Sequence, residues 1–165
     1  MRVITIASGL VCIASAAVGQ GPSGSAPHNA PAAHAIVVQS DRISWGPAPA
    51  ILPNGAELAV LEGDPGKPGP YTMRLRMPDG YRIPAHFHPA VEHVTVMAGT
   101  FRVGMGDRFE VGKLADLPTG TFAALEPGVR HFAQAQGMTV IQLHGTGPWS
   151  LTYVNPADDP RERKP

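Results

Sequence analysis

One cysteine, Cys12, occurs in the 165 residues, inside the apolar run from Val3 to Val18. Without that run the chain holds no thiol, which excludes a disulfide framework, a thiolate nucleophile and cysteine metal ligands. Val11 rather than a small residue precedes Cys12, which argues against lipid attachment there. Neither sign of charge dominates, with 13 basic residues against 13 acidic ones. That balance gives no reason to expect nucleic acid or another polyanion as a partner. Nor does any apolar run reach the roughly 20 residues that a spanning helix needs.

The N-terminus reads as an export leader over residues 1–19. Met1-Arg2 supplies its positive charge, and the small residues around Ala14-Ser15-Ala16 and Ala17-Val18-Gly19 offer cleavage sites. The expected location is therefore periplasmic or extracellular, with no stable membrane anchor once the leader is removed. Residues 20–40 form a Gly, Ser, Ala and Pro linker that cannot bury enough surface to fold. His28 and His34 fall in it as solvated residues, and Ala35 to Val38 is expected to begin an edge strand. A single domain is expected over 41–156, followed by a charged tail over 157–165.

Glycine and proline are abundant, at 19 and 18 residues, and they punctuate short apolar stretches throughout the domain. Glu57 to Glu62 reads as a strand, and the Gly-, Asp- and Pro-rich stretch from Glu62 to Pro70 as a rigid loop. Tyr71 to Met77 alternates, with Tyr71, Met73, Leu75 and Met77 on one face and Thr72, Arg74 and Arg76 on the other. Val91 to Met97 should turn at Ala98-Gly99 into a hairpin partner, Thr100 to Met105. A charged loop with a turn of helix is expected over 106–118, then strands at Thr121 to Leu125, His131 to Ala135, Met138 to His144 and Trp149 to Val154. About eight to ten short strands make the chain all-β, a sandwich or a jelly-roll barrel.

The chemistry concentrates in one stretch, Gly80 to Gly99. His86 and His88, two apart on a strand, project from the same face, and Glu92 returns an oxygen ligand just beyond Pro89-Ala90. His131, after the Pro127-Gly128 turn, can complete the set if its strand lies beside theirs. Three imidazoles and a carboxylate suit one divalent transition metal ion, with Zn, Mn, Fe, Ni and Cu all open. His93 follows Glu92 directly and points to the other face of the strand. His144 shares a face with Gln142 and is a candidate acid–base group, unless both side chains face solvent. Trp149, Phe101, Phe122 and Tyr153 read as core.

The spacing Gly80, five residues, His86-x-His88, three residues, Glu92, six residues, Gly99 resembles the complete first motif of the cupin superfamily. Such a match arises by chance in roughly one chain in ten thousand or fewer. Gly120, Gly128 and His131 resemble its second motif, which is partial: Glu126 stands where proline is usual, and Ala135 where asparagine is common. The resemblance covers about Glu57 to Val154. It implies a cupin-type jelly-roll β-barrel whose mouth holds a metal on His86, His88, Glu92 and His131. The loop before the first motif is similar to that in the zinc-holding cupin half of certain anti-sigma factors. Two functions are compatible with that expectation. One is a mononuclear metalloenzyme, an oxidoreductase of dioxygenase-like type acting on a small organic acid or phenolic, with His144 as proton shuttle. The other is a non-catalytic binding or sensing module with a structural zinc. Either can form a homodimer through an edge strand.

Overall fold

The computed structural model describes residues 35–162. The expected leader and nearly all of the linker, with His28 and His34, lie outside them. Contacts divide the chain into Met1–Ala35 and Ile36–Pro165, and the second unit carries every strand described here. No helix among the described residues is long and apolar enough to cross a membrane.

In chain order the strands are β1 (Gly46–Pro47), β2 (Glu57–Glu62), β3 (Gly69–Met77), β4 (Arg82–Phe87), β5 (Glu92–Met105), β6 (Ala115–Pro118), β7 (Phe122–Leu125), β8 (His131–Gly147) and β9 (Thr152–Tyr153). Single 3-10 turns lie at Ser40–Arg42, Val111–Lys113, Pro156–Asp158 and Pro160–Glu162. Ala35 to Val38 is exposed and not in a strand. The period-two reading of β3 holds: Tyr71, Met73, Leu75 and Met77 are buried, while the residues between them are half-buried. Tyr71 and Leu75 join Met73 and Met77, both fully buried, in one core with Val94, Val96, Ile141 and Leu143.

Two pairs of expected strands are each one long strand. β5 runs straight through Ala98-Gly99, and β8 straight through Gln136-Gly137. The glycines act as bends rather than chain reversals, because β5 and β8 lie antiparallel along most of their length and the ladder resumes after each irregularity. Gly99 has φ +72°, and a Cβ there would meet the Met138 carbonyl oxygen at 2.5 Å and Thr139 Oγ1 at 2.8 Å. Thr139, fully buried, donates its hydroxyl to the Thr100 carbonyl at 3.1 Å and clasps the two bends together. Gly99→Ala is expected to lower stability by about 1–3 kcal/mol, read as a shifted denaturation midpoint with an unchanged slope.

The expected closed jelly-roll barrel is not what forms. One nine-stranded sheet runs in the order β1-β2-β3-β8-β4-β9, with β5 pairing β8 and also β6 and β7. β3 and β4 sit end to end along one edge of β8, since residues 139–147 of β8 pair with β3 and residues 131–134 with β4. β5 takes the other edge of β8 along both halves. The end strands β1 and β9 each pair with a single neighbour and not with one another. The sheet therefore bends around its core at the glycines but leaves its edges open.

Candidate metal centre

β4 delivers His86, the residue just past β4 is His88, β5 begins on Glu92, and β8 begins on His131. β4 and β8 are register partners at this point, with His86 opposite His131, so the strand ladder itself brings the first and second motifs together. All four side chains are buried, at 3–7% exposure, where an unpartnered polar group is costly.

Each imidazole is held by a backbone carbonyl at its Nδ1: His86 by Pro84 at 2.7 Å, His88 by Ser150 at 2.8 Å and His131 by Val129 at 3.1 Å. A carbonyl only accepts, so each Nδ1 carries the proton and donates it, and each Nε2 keeps its lone pair. Ligand nitrogens of His86, His88 and His131 all lie within 4.8 Å of one another. His88 Nε2 is buried and meets no hydrogen-bond partner. Glu92 Oε2 stands 3.3 Å from His88 Nε2 and 3.7 Å from His131 Nε2. Three converging lone pairs, with that of His88 orphaned, are what a chelated cation requires. The three histidines are thus positioned to chelate one divalent metal ion.

Burial sets the protonation of the cluster. It holds His86 well below the usual imidazole range, helped by the nearby His131 and His88 rings. Burial also lowers His88 and His131, against the pull of their carbonyl partners. Neutral imidazole is the ligating form, so the fold keeps these rings ready to bind. Burial raises Glu92, opposed by His131 and by the Trp149 indole. Trp149 Nε1 is itself buried without a partner of full hydrogen-bond geometry, and its ring lies 6.0 Å from that of His88.

Trp149, read from sequence as core, is therefore part of the site. The Gly-, Asp- and Pro-rich loop before β3 positions it, because Trp149 N donates to the Pro65 carbonyl at 2.7 Å. His144 is not brought to the cluster. It lies on the outer face of β8 opposite His93, with the two rings stacked at 4.8 Å and 8°; Phe122, expected in the core, is exposed and lies beside both rings. The neighbouring residue Leu143 faces the site instead, as period-two alternation demands.

A narrow cavity adjoins the cluster, with about 20 Å³ for water-sized molecules, room for little more than one water. Leu52 lines it from the Pro-rich segment before β2.

Among solved structures, a candidate acetylacetone dioxygenase from Methylibium petroleiphilum PM1 is 20% identical, with a TM-score of 0.58 over 78% of this chain and 86% of that one. The polyketide cyclase RemF from Streptomyces resistomycificus is 15% identical, with a TM-score of 0.59 over 76% and 89%. An RmlC-like cupin from Shewanella frigidimarina NCIMB 400 is 15% identical, with a TM-score of 0.51 over 66% and 87%. At these identities the likeness is one of fold. A search of curated proteins finds no match. The profile of the ChrR cupin-like domain matches residues 33–150, a span that holds every strand but β9 and all three histidines of the cluster. The chain belongs to the ChrR cupin-like family, within the cupin superfamily.

Proposed function

We propose that this protein is an exported, metal-dependent cupin acting on a small organic molecule, a mononuclear metalloenzyme of oxidoreductase or dioxygenase-like type. The observation that carries the reading is the set of three buried imidazoles, each fixed at Nδ1 and free at Nε2. Glu92 is the fourth ligand, held within reach of His88 and His131. Four protein ligands on an ion that accepts six leave two positions for a substrate oxygen and a second small ligand. A bound ion would supply Lewis acidity, and redox chemistry if it is iron, copper or manganese. The carbonyl partners keep the rings in the ligating tautomer, and the apolar walls limit water beside the site.

Elemental analysis of protein purified from its native compartment tests this, because zinc can load wrongly in an expression host. The expected result is one ion per chain, with iron or manganese favouring the redox reading. Metal well below one per chain, together with a His88→Ala variant unchanged in content and melting, would defeat it. N-terminal sequencing of the envelope-fraction protein tests export, and a start near residue 20 is expected.

A second reading has its own support. Among the described residues, no polar side chain lines the cavity beyond the cluster and the Trp149 indole, so no separate acid–base group is at hand there. A tetrahedral zinc without exchangeable water would make the protein a binding or sensing module stapled by its metal.

A further inference from the structure

The walls around the cluster are more selective than the cluster itself. Leu75, Ile83, Phe101, Ile141, Leu143 and Leu151 face the cavity, and among the described residues the only polar side-chain groups beside them are the three imidazoles, Glu92 and the Trp149 indole N–H. A bound ion would occupy the first four. The cations that could hold an anionic substrate point elsewhere and are engaged: Arg74 with Gln142, Arg76 with Glu57, Arg102 with Asp116 and Arg130 with Asp107. Two tyrosine hydroxyls are also turned away, with Tyr81 donating to the Pro53 carbonyl and Tyr153 to that of Ile51, while Tyr71 lines a separate small cavity on the far side of His88 and Glu92.

We infer that the site takes a small, uncharged molecule that reaches the metal through one donor atom and carries an apolar body, and that it rejects organic acids and polyols. This rests on the metal reading above and narrows its substrate class. A carboxylate remote from the ion would enter this cavity with no counter-charge and no donor but one indole N–H. A hydroxyl would lose its water partners and find almost none in return, a loss of roughly 5- to 150-fold in affinity. The narrowness of the cavity sets the size: with room for little more than one water, it seats an apolar body only by moving the side chains around it, which favours the smallest.

Three thiols that differ only in the tail test the inference on full-length protein loaded with cobalt(II), whose thiolate absorption band reports binding without turnover. They are 1-propanethiol, its near-isostere 2-mercaptoethanol, and mercaptoacetate. The expected order of affinity is propanethiol above mercaptoethanol by about tenfold, with mercaptoacetate weakest. Equal affinities, or mercaptoacetate binding tightest, would overturn the inference and leave the metal site standing. Failure to take up one cobalt per chain would overturn the metal reading, and this inference with it.

Discussion

His131→Ala is expected to lower metal affinity by at least about a hundredfold, a larger effect than the 10- to 100-fold typical of losing a partner behind the ligand. His131 joins the two motifs, facing His86 across the β4–β8 ladder with ring centroids 4.2 Å apart. Losing it leaves His86, His88 and Glu92, all from one short stretch of chain, without the imidazole that closes the set from β8. The loss should also appear in stability. At free metal a hundred times the wild-type dissociation constant, binding contributes about 2.7 kcal/mol to the folded state, and a hundredfold weaker site contributes only about 0.4 kcal/mol. For a domain of this size the difference corresponds to roughly 10 °C in melting temperature. Calorimetry with and without metal reads both quantities. Equal metal-dependent shifts in the variant and the wild type would remove His131 from the ligand set.

Glu92→Gln should have opposite effects on the two forms of the protein. The side chain is 9% exposed, and burial disfavours its charge. Glutamine keeps the shape and removes a buried charge that has no cationic side chain bound to it. Metal-free protein is therefore expected to gain about 1–4 kcal/mol, the range seen when buried ionic groups give way to neutral ones. Metal-loaded protein is expected to lose roughly 10- to 100-fold in affinity as an anionic ligand becomes a neutral amide. A carboxylate with a purely structural role would not split in this way, since its loss would weaken both forms. Denaturation of the metal-free variant and a competitive chelator titration of the loaded one measure the two arms.

The site was largely legible in the sequence because its information is local. Two histidines at alternate positions declare a shared strand face, and the glycines around them mark where that strand begins and bends. What converges on His86 and His131 from a distance was harder to read. The Ser150 carbonyl lies 62 positions from His88, and a backbone oxygen has no letter in the alphabet. Trp149 looked like core because an indole serves packing and hydrogen bonding equally well, and its role depends on the loop that holds it. His144 shows the reverse case: a polar residue in an apolar run attracts a functional reading, yet strand alternation sends it to the outer face.

The shape of the sheet was less legible, and for a physical reason. A glycine with positive φ ends a strand in a turn or bends it in a bulge, and the sequence around Gly99 and Gly137 is compatible with both. The choice rests with the partner strand, which here runs on past each glycine. Closure is decided in a similar way, by whether edge strands meet. β1 and β9, two residues each, offer too little ladder to join.

The hold of Ser150 on the His88 ring has a consequence in time. All four proposed ligands lie within residues 86–131, so they leave the ribosome well before the segment that orients one of them. Until Ser150 and Trp149 are in place, His88 is free to turn and can offer either nitrogen to a passing ion. The finished site is therefore a product of the completed chain, and its affinity for metal should rise in one step as the last strand docks.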